Sequence, residues 1–97
     1  MAQGNLTLDG STDWFELTYE QTYISVDGTF GGGAVALEKL VNGTAYPLRE
    51  SGTPISITAA SDVNLNIGSG AKVRLTLSGS TGADIDWAIN ARQIRKV

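Results

Sequence analysis

The sequence predicts an all-β fold, a single antiparallel β-sandwich of about eight strands over residues 1–97, with jelly-roll as the candidate topology. Three observations carry this. Apolar and polar residues alternate with period two in run after run, as in Ile24/Val26, Val73/Leu75/Leu77 and Ile85/Trp87/Ile89. Gly, Asn, Asp, Ser and Pro clusters interrupt those runs at intervals of about 8 to 12 residues, the spacing of sandwich and barrel strands. No stretch longer than a turn has an apolar period near 3.6, although AINARQIRKV at the end could wind into a helix if the alternation before it did not argue for strand.

In chain order, Asn5-Leu6-Thr7-Leu8 forms a first short strand with Leu6 and Leu8 on one face. The Asp9-Gly10-Ser11-Thr12-Asp13 segment is a loop built from residues that bond their own backbone. From Trp14 to Glu20 the alternation turns Phe15, Leu17 and Tyr19 inward. Ile24 and Val26 lie on the next strand, which Asp27-Gly28 ends. The triple glycine Gly31-Gly32-Gly33 supplies positive φ and room for a close backbone approach.

A strand then runs from Ala34 to Val41 and reverses at Asn42-Gly43, a pair suited to a type I′ turn because both central positions need φ > 0. That turn sets the register. Val41 opposes Thr44, Lys39 opposes Tyr46 and Leu37 faces Leu48, with Glu38 and Pro47 on the other side. Pro47 lacks a ladder donor, which predicts a sheet edge or a bulge. Residues 49–54 read as a polar loop. Three more strands follow, Ile55–Thr58, Val63–Ile67 and Lys72–Leu77, before a last one from Asp84 to Asn90.

With no Cys and no His in 97 residues, disulfides, thiolate metal sites and imidazole bases are all excluded. The start has no basic-then-apolar leader, and no run approaches the roughly 20 apolar residues of a spanning helix. A soluble protein outside the classical secretory route is expected, with no membrane partner. Net charge is −3 and unevenly spread. The six acidic residues through Glu38 precede any basic one, whereas all seven basic residues lie from Lys39 onward. The bland reading is a solvated surface. The sharper one sets one subunit's acidic half against a neighbour's basic half.

Candidate sites are few. Asp84 and Asp86 point to one face of a strand and could form an acid pair or bind a cation, yet no third ligand and no calcium-loop pattern accompanies them. Glu16 and Glu20 share the outer face of another strand and read as surface. The Ser and Thr hydroxyls have no histidine to activate them, so no enzyme and no cofactor is expected. The acidic balance argues against nucleic acid. Trp14, Tyr23 and Tyr46 could line a sugar-binding face or a subunit interface. Arg92, Arg95 and Lys96 complete the candidate interface set.

The run Gly31–Leu37, Tyr46-Pro47-Leu48, Val73-Arg74-Leu75-Thr76-Leu77-Ser78-Gly79 and Ile85-Asp86-Trp87 resembles small virion structural proteins of tailed bacteriophages, over roughly residues 22–90. The resemblance implies a non-enzymatic virion part made in the bacterial host cytoplasm. It would be a capsid decoration (cement) protein, a head fibre or a small tail component, a trimer or other small symmetric homo-oligomer bound to the major capsid or another virion protein. A glycan-binding module such as a tail-fibre or carbohydrate-binding domain is the alternative.

Overall fold

The structure is a computed structural model that describes residues 2–17, 21–66, 71–91 and 94–96, with backbone only at 21, 65, 66, 91, 95 and 96. Thirteen strands form and no helix does among the described residues. They are β1 (Ala2–Leu6), β2 (Gly10–Ser11), β3 (Phe15–Leu17), β4 (Gln21–Thr29), β5 (Ala34–Val41), β6 (Thr44–Pro47), β7 (Arg49–Glu50), β8 (Thr53–Pro54), β9 (Ser56–Ile57), β10 (Ser61–Asn66), β11 (Lys72–Ser78), β12 (Asp84–Ala91) and β13 (Ile94–Lys96).

Several of these are pieces of one line. β2 and β3 both pair with β11, and Thr12 holds the gap between them, its N–H donating to the Leu75 carbonyl (2.9 Å) and its hydroxyl accepting from the Leu75 N–H (3.1 Å). β6 and β9 likewise both pair with β5. Counted this way there are eight strand lines, with β13 added at an edge and β7–β8 as a side hairpin.

One sheet has the order β1-β12-β4-β10 and the other β13-β3-β11-β5-β6, every pairing antiparallel. Successive lines therefore alternate between sheets except at the β5–β6 hairpin, which stays within one sheet, and β1 and β12, the first and last lines, become neighbours, as in a jelly roll. The inward faces of both sheets merge into one core of Leu17, Ile24, Val26, Phe30, Val35, Leu37, Ile57, Val73, Leu75, Leu77, Ala83, Ile85, Trp87 and Ile89. Burial of this apolar surface is the main force holding the sheets together. Phe15 and Trp87 meet across the sandwich with ring centroids 5.8 Å apart, tilted by 50°.

The central hairpin has the register that its turn dictates. Asn42 and Gly43 sit at φ 50° and 76°, and Val41↔Thr44, Lys39↔Tyr46 and Glu38↔Pro47 are paired. β6 is an edge strand, as its proline requires. After Leu48 the chain leaves the sheet. The Leu48 N–H donates to the Leu37 carbonyl (2.8 Å) and the Ile55 N–H to the Leu48 carbonyl (2.9 Å), closing the neck of a small hairpin. Residues 49–54 are thus a β7–β8 hairpin and not a polar loop. Ser51 occupies its first left-handed position (φ 52°), which Asn or Gly more often fills, so the turn signal is weak in the sequence.

Other expectations are corrected. β1 spans Ala2–Leu6, so Leu6 packs against the core while Leu8 lies in a bend and is 78% exposed. Asp27-Gly28 does not end its strand: β4 continues to Thr29 with Gly28 at φ 117°. The third strand begins at Phe15, leaving Trp14 in the β2–β3 gap. Tyr19, Glu20 and Ile67 lie outside the described residues.

A clasp joins the loop after β1 to the loop after β11. The Asp9 carboxylate accepts from the Gly79 N–H (3.1 Å), the Ser80 N–H (3.0 Å) and the Ser80 hydroxyl. The Ser80 hydroxyl, then the Ser80 N–H, hold the Asp9 carboxyl below its usual 3.8. Folded Asp9 thus gives up its proton more readily than the unfolded chain, and its contribution is present above pH 3.8 and drains away as pH falls through the lower folded value. Asp9→Asn is expected to lower the melting temperature at pH 7, and the gap from the parent should shrink as pH falls below 3.8 in thermal melts. A gap constant with pH would contradict the clasp.

Candidate functional site

The outward faces of the two sheets differ in chemistry. On the four-stranded sheet, alternation and register gather Gln3 and Asn5 from β1, Asp84, Asp86, Ala88 and Asn90 from β12, Tyr23, Ser25 and Asp27 from β4, and Asp62 and Asn64 from β10. Four carboxylates share this surface, and it carries no Lys or Arg among the described residues. Asp27 and Asp86 are direct cross-strand partners, an arrangement that like charges disfavour.

Neutral donors moderate the repulsion. The Asn5 amide nitrogen donates to Asp84 (2.8 Å) and Asp86 (2.9 Å), the Ser25 hydroxyl donates to Asp62 (2.8 Å), and the Gly28 N–H donates to Asp27 (2.8 Å). A hydrogen bond with Asp62, then burial, raises the Tyr23 phenol above its usual range. A shallow depression lies at the centre, where Ala88 is the smallest outward side chain. Gln3, Asn5, Ser25, Asp27 and Asp86 wall it, and the strand backbone at Gly4 and Trp87 contributes its floor. Among the described residues no group of three or more acidic side chains is placed to hold a metal ion. What this surface offers is a set of acceptors and amides for hydroxyl or ammonium groups.

The outer face of the seven-stranded sheet is charge-paired. Arg74 Nε donates to Glu38 (2.9 Å), which also accepts from the Thr76 hydroxyl, and the guanidinium lies 4.5 Å from the centroid of the Trp14 ring. Burial works to raise the Glu38 carboxyl, but the Thr76 hydroxyl and the Arg74 guanidinium outweigh it and hold the carboxyl below its usual range. Lys72 lies 3.7 Å from Glu16. Acidic residues from the first half thus meet basic ones from the second within one chain, and the unpaired acidity collects on the other sheet.

A third surface lies where β5 and β6 run past the core. Leu37, Lys39 and Val41 share the inward face of β5, yet exposure climbs from 1% at Leu37 to 45% at Val41, and Tyr46 opposite Lys39 is also 45% exposed.

The expected aromatic group is therefore not assembled. Trp14 lies under Arg74 on one sheet, Tyr23 on the outer face of the other, and Tyr46 on the overhanging hairpin. Arg92 and the side chains of Arg95 and Lys96 lie outside the described residues. Sequence reasoning did place Asp84 and Asp86 on one face. It missed Gln3, Asn5, Ser25 and Asp27 beside them, because residues about 60 or 80 positions away become neighbours only through strand order. No protein-family model, characterised protein or solved structure matches the chain.

Proposed function

We propose that this chain is a non-enzymatic structural protein of a phage virion, a capsid decoration protein that acts as a small symmetric oligomer bound to the capsid exterior. The observation that carries this is the β5–β6 overhang. Val41 and Tyr46 turn toward the interior side of their sheet, yet each stays 45% exposed. Apolar and aromatic side chains left in that position suit burial against another protein. The jelly-roll order adds a fold-level analogy, since such sandwiches recur in viral capsid domains and in lectins. A rigid β scaffold bound in many copies also needs no reactive group.

Lectins share the architecture, and the acid-and-amide depression around Ala88 favours a second reading, a glycan-binding module that recognises sugar hydroxyls. Co-sedimentation of the purified chain with capsids of the phage that encodes it separates the two, alongside binding to a glycan array. Retention on capsids, lost in Val41→Lys/Tyr46→Glu, is the expected result. Saturable glycan binding without capsid retention would replace the first reading with the second.

A further inference from the structure

We propose that β1 is a docking edge for the β1 strand of a second copy, joined antiparallel about Gly4. The inference rests on the reading above that the chain works as a symmetric oligomer, and it names one contact of that oligomer.

An edge strand leaves every second N–H and C=O unpaired, a template for another strand, and proteins blunt such edges with proline, charge or bulges. Three of the four edges here are blunted. β6 carries Pro47 and breaks into the side hairpin, β10 carries Asp62, and the three-residue β13 carries Arg95 and Lys96. β1, with sequence Ala-Gln-Gly-Asn-Leu, has no proline and no charge over five residues, and among the described residues its one partner is β12.

The pairing that places Gly4 opposite Gly4 of the second copy is self-complementary. It sets Gln3 against Asn5 of the other copy on the outer face, and Ala2 against Leu6 of the other copy on the inner face. Ala2 and Leu6 are half-buried and already pack on the core, so the joint extends that apolar layer. The Asn5 amide nitrogen is engaged by Asp84 and Asp86, which leaves its carbonyl oxygen to accept from the Gln3 amide of the other copy. No charge enters the joint. The two acidic faces continue side by side, with the β12 strands three spacings apart, about 14 Å. That exceeds the roughly 8 Å screening length at physiological salt, so self-repulsion is muted there and stronger at low salt.

The chain has no cysteine, which makes the register directly testable. Facing Cα atoms in such a ladder lie about 4.5–5.5 Å apart, inside the disulfide range, while Gln3 and Gln3 of the other copy would be about 8 Å apart, outside it. A mixture of Gln3→Cys and Asn5→Cys chains under mild oxidation is expected to give the mixed cross-linked dimer, with Gln3→Cys alone giving at least tenfold less. Light scattering of the parent chain should show twice the 10.2 kDa mass, with the dimer fraction rising as salt is added. A monomer at all concentrations and salts, or equal cross-linking by Gln3→Cys alone, overturns the proposal. A monomer that still co-sediments with capsids removes this contact and leaves the decoration reading standing. A cross-linked dimer that ignores capsids does the reverse.

Discussion

Trp87→Ala is expected to destabilise the domain by about 3–5 kcal/mol, the range for emptying a buried aromatic site. Trp87 is 8% exposed, points into the sandwich from the strand between β1 and β4, and packs against Phe15 from the opposite sheet. Gly4, its partner on β1, leaves room for the indole: a Cβ there would fall 2.8 Å from Trp87 Cζ2. Deleting the ring would therefore leave a void bordered by both sheets, which β strands fixed by their ladders cannot collapse to fill. A domain of this size has roughly 5–15 kcal/mol in total, so the variant sits near the limit of folding at 37 °C. Urea unfolding at 25 °C, followed by circular dichroism, measures the loss, and Trp87→Phe should recover about half or more of it. A loss below about 1 kcal/mol would mean that the ring is not part of the core.

The second large effect is expected at Gly31. Its φ is 60°, and a Cβ built there would lie 2.3 Å from the Thr81 carbonyl oxygen, a backbone atom held in place because the Thr81 N–H donates to the Gly31 carbonyl (2.9 Å). Gly31→Ala combines left-handed strain of about 1–2 kcal/mol, overpacking of about 1–3 and the loosening of that hydrogen bond, for a total on the order of 3–5 kcal/mol. Gly32 provides the control. It has φ 78° but open space, so Gly32→Ala should show the strain alone, about 1–2 kcal/mol. Equal losses for the two variants in the same urea titration would show that the contact with the 81 loop does not matter.

Much of this fold is written locally. The alternation at Val73, Leu75, Leu77 and at Ile85, Trp87, Ile89 names the core residues, because side chains on a strand switch faces at every step and one face must be dry. Asn42-Gly43 states its own turn type, and with it the β5–β6 register. What stays illegible depends on partners far along the chain. Leu8 has the right chemistry for a core strand, but the Asp9 clasp with the 79–80 backbone turns the chain before Leu8 can join one. The 49–54 hairpin hides because Ser51 takes a backbone conformation that its sequence does not advertise. The acidic face is the clearest case: Asp84 and Asp86 alternate visibly, whereas Asp27 and Asn5 reach them only because β12 lies between β4 and β1. Trp14, Tyr23 and Tyr46 look alike as exposed aromatics in the sequence and are dispersed for the same reason.

The central position of β12 also governs how the chain can be made. Among the described residues β1 pairs with β12 alone, and β4 lies between β12 and β10, so β1 cannot join the sheet, nor β4 gain its second neighbour, before residues 84–91 are in place. The four-stranded sheet is thus closed by long-range contacts, 35–45 residues apart in sequence between β4 and β10 and more than 50 apart at both pairings of β12. Such topologies fold in milliseconds to seconds, where local ones need microseconds. During that interval the uncharged β1 strand is exposed with both edges open, the moment at which encounters between nascent chains at high expression favour aggregation over native assembly.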